Sequence, residues 1–552
     1  MPKFEISKTD LEKLVGRKFT IKELEDEALL YAKTELDGHD GDTLKVDVKD
    51  TNRPDLWSVE GIARELKGHF KIEEGLPKYS VKKANWKATV ESPDEFHKFV
   101  TAAVIRNVKI TKEVLSQMVQ LQEKVGGTFG RNRKAMSMGA YDLSKIKFPV
   151  KYIGKKPEEI KFKPLGYDKE MTAKEILQNH EKGKQYGHLL RDSKKYNVWL
   201  DANNSILAME PIINSNIAGN VTTETTDVFI ECSGDDMKSL HTAINVLASA
   251  LAERGGQIEE VEITYNNKKI ITPDFTPKTA HLDPDYCRKI IGLEISDTEM
   301  IRLLKEGRYS AKMDQKKIHV EYPAYRQDIM HQRDLVEDIA IGFGYNDIEP
   351  QIPTLPTVGS RDKLEDFSNI IRELCVGLGL QEVITFNLTN KESMFKKMNL
   401  PEGKIVEIEN PVSSNWSVFR NSILPNLLEV LSFNKNQEYP QNIFEVGDVV
   451  LFDSENKETG VSNKRRVAIA LTGTQVGYED ASSILSAFLS NLGKKLTLKK
   501  TTHPSFISGR AAEIVVENKL VGIIGEIHPQ VLNNWNLEKP VVGFEVDVEA
   551  LY

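Results

Sequence analysis

The sequence predicts an α+β multidomain fold class, and three observations carry that prediction. The chain has 552 residues, room for about three to five domains at roughly 100–200 residues each. Period-two alternation and helical spacing both recur along it, so strands and helices are mixed. Two proline-rich stretches, "ITPDFTPKT" (271–279) and "PQIPTLPT" (350–357), read as linkers. The domain limits that follow are 1–90, 91–270, 271–349 and 350–552. Apolar residues make up 40% of the chain and charged residues 28%, which suits a soluble globular protein with buried cores.

The elements follow in order. In "LKVDVKDTNRPDLWSVEGIARELKG" Val46 and Val48 alternate with polar residues, a strand. Leu56, Val59, Ile62, Ala63 and Leu66 then recur at helical spacing. Residues 318–344 echo this plan weakly: Ile318 and Val320 alternate, and Arg326-x-Asp328 matches Arg53-x-Asp55 before a second helix. Residues 91–270 read as one mixed unit, with a helix near 111–125, strands "NVWL", "SILAM" and "VFIEC", and a helix from Met237 that Gly255 stops. Between the linkers, Ser296-x-x-Glu299 opens a helix as a capping box. Beyond 358, a helix at 363–377, strands "EVITFNL" and "NIFEVGDVVLF", and a hairpin turning at Asn518-Lys519 complete a sheet domain.

Several classes are excluded. The N-terminus shows no apolar signal core, and no apolar run approaches the ~18 residues that span a bilayer. Cys232, Cys287 and Cys375 are scattered with no CxxC pair, so neither a disulfide framework nor a zinc–thiolate site is expected, and the cytoplasm is the expected compartment. The net charge is −8, yet residues 145–195 hold 14 Lys/Arg against 7 Asp/Glu. That stretch reads either as a nucleic-acid footprint or as a solvated lysine-rich face. No GxSxG elbow, P-loop or HExxH is present.

Two polar groups stand out. In "YRQDIMHQRDLVEDIAIGFGY" Asp334, Glu337 and Asp338 share one helical face, and Asp328 precedes them. Four hard oxygen donors suit Mg²⁺. Asp334-x-x-Glu337 is equally a capping box at a helix start, and the spacing alone leaves both readings open. In "VFIECSGDD" alternation places Glu231 and Ser233 on one side of a strand. A strand-to-helix junction there would offer backbone N–H groups beside a carboxylate and a hydroxyl, a setting for a water and a developing oxyanion. A capped helix with an exposed acid is the plainer alternative.

Six collinear stretches give the chain a family resemblance: "DTNRPDLWSVEGIARELKG", "GRNRKAMSMGAYDL", "MEPIINSNIAGNVTTETTDVFIECSG", "YRQDIMHQRDLVEDIAIGFGYNDI", "FRNSILPNLLEVLSFNKN" with "IFEVGDVV", and "HPSFISGRAAEIVV". Together they resemble the β subunit of phenylalanyl-tRNA synthetase, archaeal/eukaryotic type. The resemblance implies an N-terminal α/β domain, a tRNA-editing domain at 91–270, a small α/β domain with the carboxylate motif, and a C-terminal antiparallel-sheet domain like a catalytically inactive class II synthetase core. Arg420 lies in that last domain with no Gly-rich, Arg-terminated ATP motif after it. The implied partner is an α subunit in an (αβ)2 heterotetramer that binds ATP and phenylalanine and performs the charging of tRNA(Phe).

The implied metal is Mg²⁺ at Asp328, Asp334, Glu337 and Asp338. The implied editing residues are Glu231 and Ser233, with Leu200, Ala208, Asn214 and Ser215 lining the pocket. Their task would be hydrolysis of Tyr-tRNA(Phe). The need is physical: a pocket shaped for phenylalanine rejects an added hydroxyl by only ~10²-fold. Residues 145–195 and "GRNRK" would guide the tRNA 3′ end. Two rivals are a non-enzymatic tRNA-binding scaffold whose editing site has decayed and a free-standing metal hydrolase built on residues 328–338.

Overall fold

Phe4, Ile6, Leu44, Val46 and Val48 alternate with more exposed residues and face one core, so strands Lys3–Ser7 and Thr43–Val48 pair antiparallel. Thr34–Asp40 flanks them, and helix Val59–His69, capped by Ser58, covers the sheet with Val59, Ile62 and Leu66. The structure is a computed structural model that describes residues 2–266, 268–355 and 357–552. The chain divides into two units at Gln351 and Ile352.

The largest sheet of the first unit has ten strands. Nine run in the order Ile213–Asn214, Ile206–Met209, Tyr196–Leu200, Val150–Lys155, Val81–Glu91, Gln257–Tyr265, Phe99–Arg106, Val228–Gly234 and Met136–Asp142. Lys268–Thr272 pairs beside Gln257–Tyr265. Val81–Glu91 is parallel to both neighbours. The sheet curls until its ends meet: Asn214 Oδ1 at one edge lies 3.3 Å from the Tyr141 hydroxyl at the other. Trp199, Ala208, Tyr141 and Phe229 share the core inside the curl. Helix Met237–Glu253 packs Leu240, Ala243, Ile244 and Leu247 on the other face.

A three-stranded sheet, Lys278–Leu282, Lys317–Tyr322 and Ser310–Asp314, packs with helices Pro284–Ile291, Asp297–Glu306 and Gln332–Phe343 around a core of Leu282, Met300, Ile318, Val320, Leu335 and Ile339. The linker expected over 271–279 is narrower: Ile271 and Thr272 extend one strand and Lys278 begins another. Pro273 and Pro277 fall in the gap between the two strands, where no ladder needs the N–H they lack.

The second unit is built on a seven-stranded sheet, antiparallel except for the short strand Gln381–Glu382. Helices Lys363–Gly377 and Tyr478–Asn491 cover one face, and Leu424–Phe433 and Pro529–Asn534 cover the other. Of the expected strand "EVITFNL" (382–388) only the two ends are in ladders, Glu382 in the strand Gln381–Glu382 and Leu388 in the strand Leu388–Thr389. Ile384 and Phe386 are 87% and 72% exposed, so no core fixes that stretch. The late hairpin turns at Glu517-Asn518, whose φ values of 50° and 63° suit a type I′ turn. Arg420 is buried against Glu445 at 2.8 Å.

Candidate functional site

Strand Val228–Gly234 is paired on both sides. Val228, Ile230 and Cys232 enter the core under the long helix, and Phe229 enters the core inside the curl. Glu231 and Ser233 lie on the Phe229 side, and both are 0% exposed. Gly139 stands directly opposite Glu231, and Ser137 opposite Ser233. A Cβ on Gly139 would lie 2.5 Å from Glu231 Oε1 and 2.6 Å from the Tyr141 hydroxyl. Glycine therefore makes the space the carboxyl occupies.

The expected junction of free N–H groups lies elsewhere. The ladder runs on through Ser233 and Gly234, so their backbone groups serve strand pairing. The helix cap is Asp236, which accepts from Lys238 N and Ser239 N. Two paired neighbours carry the strand past the point where its sequence alternation fades.

Glu231 sits among polar groups that do not neutralise it. The Tyr141 hydroxyl lies 3.2 Å from Oε1. Oε2 accepts from no donor, and the indole N–H of Trp199 makes no hydrogen bond, although that N–H lies near enough to favour the charged form and the Glu210 carboxyl near enough to share the proton of the neutral one. Burial first, and Glu210 second, push the carboxyl well above the usual carboxylate range. The groups that shift it are acidic or neutral: Glu210, Trp199 and Tyr141. Glu210 Oε2 in turn accepts from Ser137 Oγ at 2.7 Å and Ser233 Oγ at 3.2 Å. His97, Ser137, Tyr141 and Glu210 escaped the sequence reading. Alternation in "MSMGAYD" could have put Ser137 and Tyr141 on the Glu231 side, but the curl that delivers Glu210 and His97 has no local signature.

The other expected residues separate. Ala208 pairs with Trp199 and lies in the same core as Tyr141. Leu200 joins a different cluster with Ile160, Phe162 and Met209, so it does not line the Glu231 side. A bulge between Trp199 and Leu200 accompanies that split. Ser215 Oγ accepts from Ala218 N at 3.3 Å and shapes a turn. Asn214 links two places: it touches Tyr141, and it lines a cleft of about 260 Å³ with Glu123, Arg133, Lys182 and Asn220. Arg133 donates to the carbonyls of Pro211 and Ile212 at 2.9 and 3.0 Å, and so clamps the segment after Glu210. It follows Arg131 and Asn132 in a run of three left-handed residues, with φ of 51°, 54° and 62°. The expected basic stretch is open to solvent: Lys145, Lys147, Lys156, Lys161, Lys163 and Lys169 are all exposed.

The four carboxylates of residues 328–338 do not converge. The helix starts at Gln332, earlier than Asp334-x-x-Glu337 suggested, with His331 and Asp334 forming the box. Asp334 Oδ2 accepts from Met330 N at 2.8 Å and His331 N at 2.7 Å. Arg326 clasps Asp328 through two bonds of 2.7 and 2.5 Å and reaches Asp338 at 2.9 Å. Tyr309 also donates to Asp338. Lys33 Nζ lies 2.9 Å from Asp338 Oδ1, and Arg53 Nε 3.9 Å from Asp328 Oδ1. Burial opposes ionisation of Asp338, but Arg326, Lys33 and Arg53 together outweigh it and hold the carboxyl far below its usual range. Glu337 is exposed and lines a separate cleft with Asp50 and Tyr345. Among the described residues, no three His, Cys, Asp or Glu side chains gather as a metal site. Three cations stand where an ion would sit, so this donor set does not fit a single Mg²⁺.

Comparisons with known proteins cover the whole chain. Residues 348–548 match the family described as "Phenylalanyl tRNA synthetase beta chain CLM domain", and residues 280–345 match "tRNA synthetase B5 domain". The chain is 49% identical over 557 residues to the "Phenylalanine--tRNA ligase beta subunit" of Pyrococcus horikoshii, with 100% of each chain covered. It is 37% identical over 560 residues to the protein of the same description from Archaeoglobus fulgidus, covering 100% of this chain and 99% of that one. Among solved structures, an N-terminal fragment of the Pyrococcus horikoshii phenylalanyl-tRNA synthetase β subunit is similar, at 46% identity and a TM-score of 0.60 over 62% of this chain and 100% of the fragment.

Proposed function

The chain belongs to the phenylalanine–tRNA ligase β-subunit family, and from that premise we propose that it edits, hydrolysing tyrosine wrongly esterified to tRNA(Phe) at the site around Glu231. The observation that carries this reading is the buried carboxyl of Glu231, flanked by Glu210 and left with one unpaired oxygen. Tyrosine differs from phenylalanine by one hydroxyl. That hydroxyl would pair with Glu231 Oε2, whereas a phenylalanyl group would leave the oxygen unpaired. A site that hydrogen-bonds a substrate hydroxyl can reject the analogue lacking it by about 10⁴–10⁵-fold.

The side chains divide the work. Protonated Glu231 and Tyr141 bind the phenol, and Asn214 is the gate between the 260 Å³ cleft and Glu231. The Ser233 hydroxyl orients the attacking water, which acts by position more than by an activated nucleophile. The exposed lysines of 145–195 supply positive charge for the tRNA 3′ end, whereas Arg133 and Lys182 are paired with Glu123 and shape the cleft. Among the described residues no helix is long and apolar enough to cross a membrane. Charging itself is assigned to an α subunit, with ATP and phenylalanine bound there, in an (αβ)2 assembly. The second unit then acts as a class II-like core without chemistry of its own, in keeping with an Arg420 committed to Glu445. The carboxylates of 328–338, held by Arg326, Lys33 and Arg53, do not form an Mg²⁺ donor set.

The test is deacylation of Tyr-tRNA(Phe) by the αβ complex, compared with Glu231→Ala. Fast hydrolysis that the substitution abolishes supports editing. Equal, slow hydrolysis by both would make the chain a tRNA-binding scaffold instead. Co-expression with the α chain, mass measurement and charging assays test the assembly: charging by β alone would overturn the division of labour.

A further inference from the structure

Ser233 shares a buried polar cluster with Ser137, Glu210 and His97. His97 is 0% exposed and holds a φ of 57°, a left-handed conformation that histidine adopts more readily than most residues. The fold fixes it from several sides. Its N–H donates to Asp235 Oδ1 at 2.8 Å, and its carbonyl accepts from the Tyr152 hydroxyl at 2.8 Å. Phe96 stacks on its ring. These contacts hold the ring in one orientation.

The ring tautomer follows from the neighbours. Nε2 faces the Lys134 carbonyl at 3.3 Å. A carbonyl only accepts, so Nε2 carries the proton and Nδ1 presents a lone pair. Nδ1 lies 3.4 Å from Ser233 Oγ and 3.5 Å from Ser137 Oγ. Burial pushes the imidazole down to about 4, so it stays a neutral acceptor at physiological pH.

Two hydroxyl protons therefore meet two fixed acceptors, Glu210 Oε2 and His97 Nδ1. Ser137 gives its proton to Glu210 over the shorter path, 2.7 Å. The Ser233 proton is shared among Ser137 Oγ at 2.9 Å, Glu210 Oε2 at 3.2 Å and His97 Nδ1 at 3.4 Å, since a carboxylate oxygen accepts two bonds. With its proton engaged within this cluster, Ser233 keeps a lone pair free for a further donor. A lone pair there can accept from a water and hold it for attack on an ester.

We propose that His97 is a positioning residue for the hydrolysis, acting through Ser233 by keeping the serine hydroxyl an acceptor for the attacking water. This inference rests on the editing reading of the same site. It concerns orientation only: no bond forms to His97 or to either serine.

The test is steady-state deacylation of Tyr-tRNA(Phe) by the αβ complex with three substitutions. His97→Asn keeps an acceptor where Nδ1 stands and tolerates the positive φ. His97→Gln keeps a donor towards Lys134 but no acceptor towards Ser233, and His97→Leu keeps neither. The expected result is kcat within a few-fold of the parent for H97N and a fall of about 10²-fold for H97Q, with KM unchanged in both. H97L should match H97Q, and it replaces H97Q if that variant does not fold. Thermal melting of each complex reports folding. Equal losses in H97N and H97Q at equal melting temperature, or no loss in either, would overturn the role. If Glu231→Ala abolishes hydrolysis while H97Q and H97L do not, this inference alone falls. If none of the four affects hydrolysis, the editing reading falls with it.

Discussion

Glu231 and Asp338 are both carboxylates carried into the interior by regular structure, one by a strand and one by a helix, yet their surroundings are opposed. Around Asp338 stand Arg326, Lys33 and Arg53, with a hydroxyl from Tyr309. Around Glu231 stand a second carboxylate, a phenol and an indole. Burial penalises the charged form in both. The cations reverse that penalty for Asp338, whereas Glu210 adds to it for Glu231. A compensated buried carboxylate holds a structure together. An uncompensated one with a free oxygen is strain that a ligand can relieve, and such groups cluster at functional sites.

The largest expected effect breaks the compensated side. Asp338→Asn leaves Lys33 and Arg326 facing a neutral amide in the interior. Removing one partner of a buried pair costs about 3–5 kcal/mol, to be read from urea unfolding of the αβ complex or the isolated chain. The sign with pH follows from the lowered folded value. The stabilisation is present above the unfolded pKa of about 3.9 and fades as pH falls through the lower folded value. The deficit of D338N should thus be constant near neutrality and shrink in acid. A neutral D338N would mean that the ion pairs contribute nothing.

Gly139→Ala tests the other side next. The new Cβ meets the Glu231 carboxyl and the Tyr141 hydroxyl. The Tyr141 ring is packed in a core and cannot move aside, so the Glu231 carboxyl must shift; the cost is about 1–3 kcal/mol, and displacement of Glu231 should lower Tyr-tRNA(Phe) hydrolysis more than it lowers the melting temperature. Unchanged hydrolysis would separate Glu231 from the reaction.

Glu231→Gln sharpens the contrast with Asp338. A raised folded pKa stabilises below the unfolded value of about 4.3 and loses that advantage as pH rises towards the folded value. Glutamine mimics the protonated acid and loses nothing. E231Q should therefore gain on the parent by up to about 1.4 kcal/mol per pH unit above that point, where D338N only loses. Melting curves between roughly pH 5 and 7 decide it. Equal curves would mean that Glu231 is compensated by a group other than those around it.

The two sites were unequally legible in the sequence. Alternation in "VFIECSG" gave the side Glu231 and Ser233 occupy, because a strand's period needs no tertiary information. It could not give His97, Ser137 or Glu210, which arrive from other strands as the sheet curls. For the motif at 328–338 the spacing gave a shared helical face and a capping pattern, and the helix start was misplaced because His331 caps it. What spacing could not show is charge balance: Lys33 and Arg53 come from a distant part of the chain. The faint Arg-x-Asp echo turns out to be spatial. Arg53 clasps Asp55 as Arg326 clasps Asp328, and the two pairs lie side by side. A buried guanidinium holding the carboxylate two residues on is one local solution, used twice.

The smallest effect concerns Asp334, the acid that escapes both descriptions. It is neither deeply buried nor paired with a cation, and it accepts from Met330 N and His331 N. Asp334→Ala should cost about 1 kcal/mol, the ordinary loss at a helix N-terminus. That loss should be the same in millimolar Mg²⁺ and in EDTA, since the other oxygens a metal would need are held by Arg326 or turned to solvent. A melting temperature that rises with Mg²⁺ in the parent but not in D334A would reverse the argument. It would mean that an ion can displace Arg326 from Asp328 and Asp338, and that the compensated site and a metal site are two states of the same carboxylates.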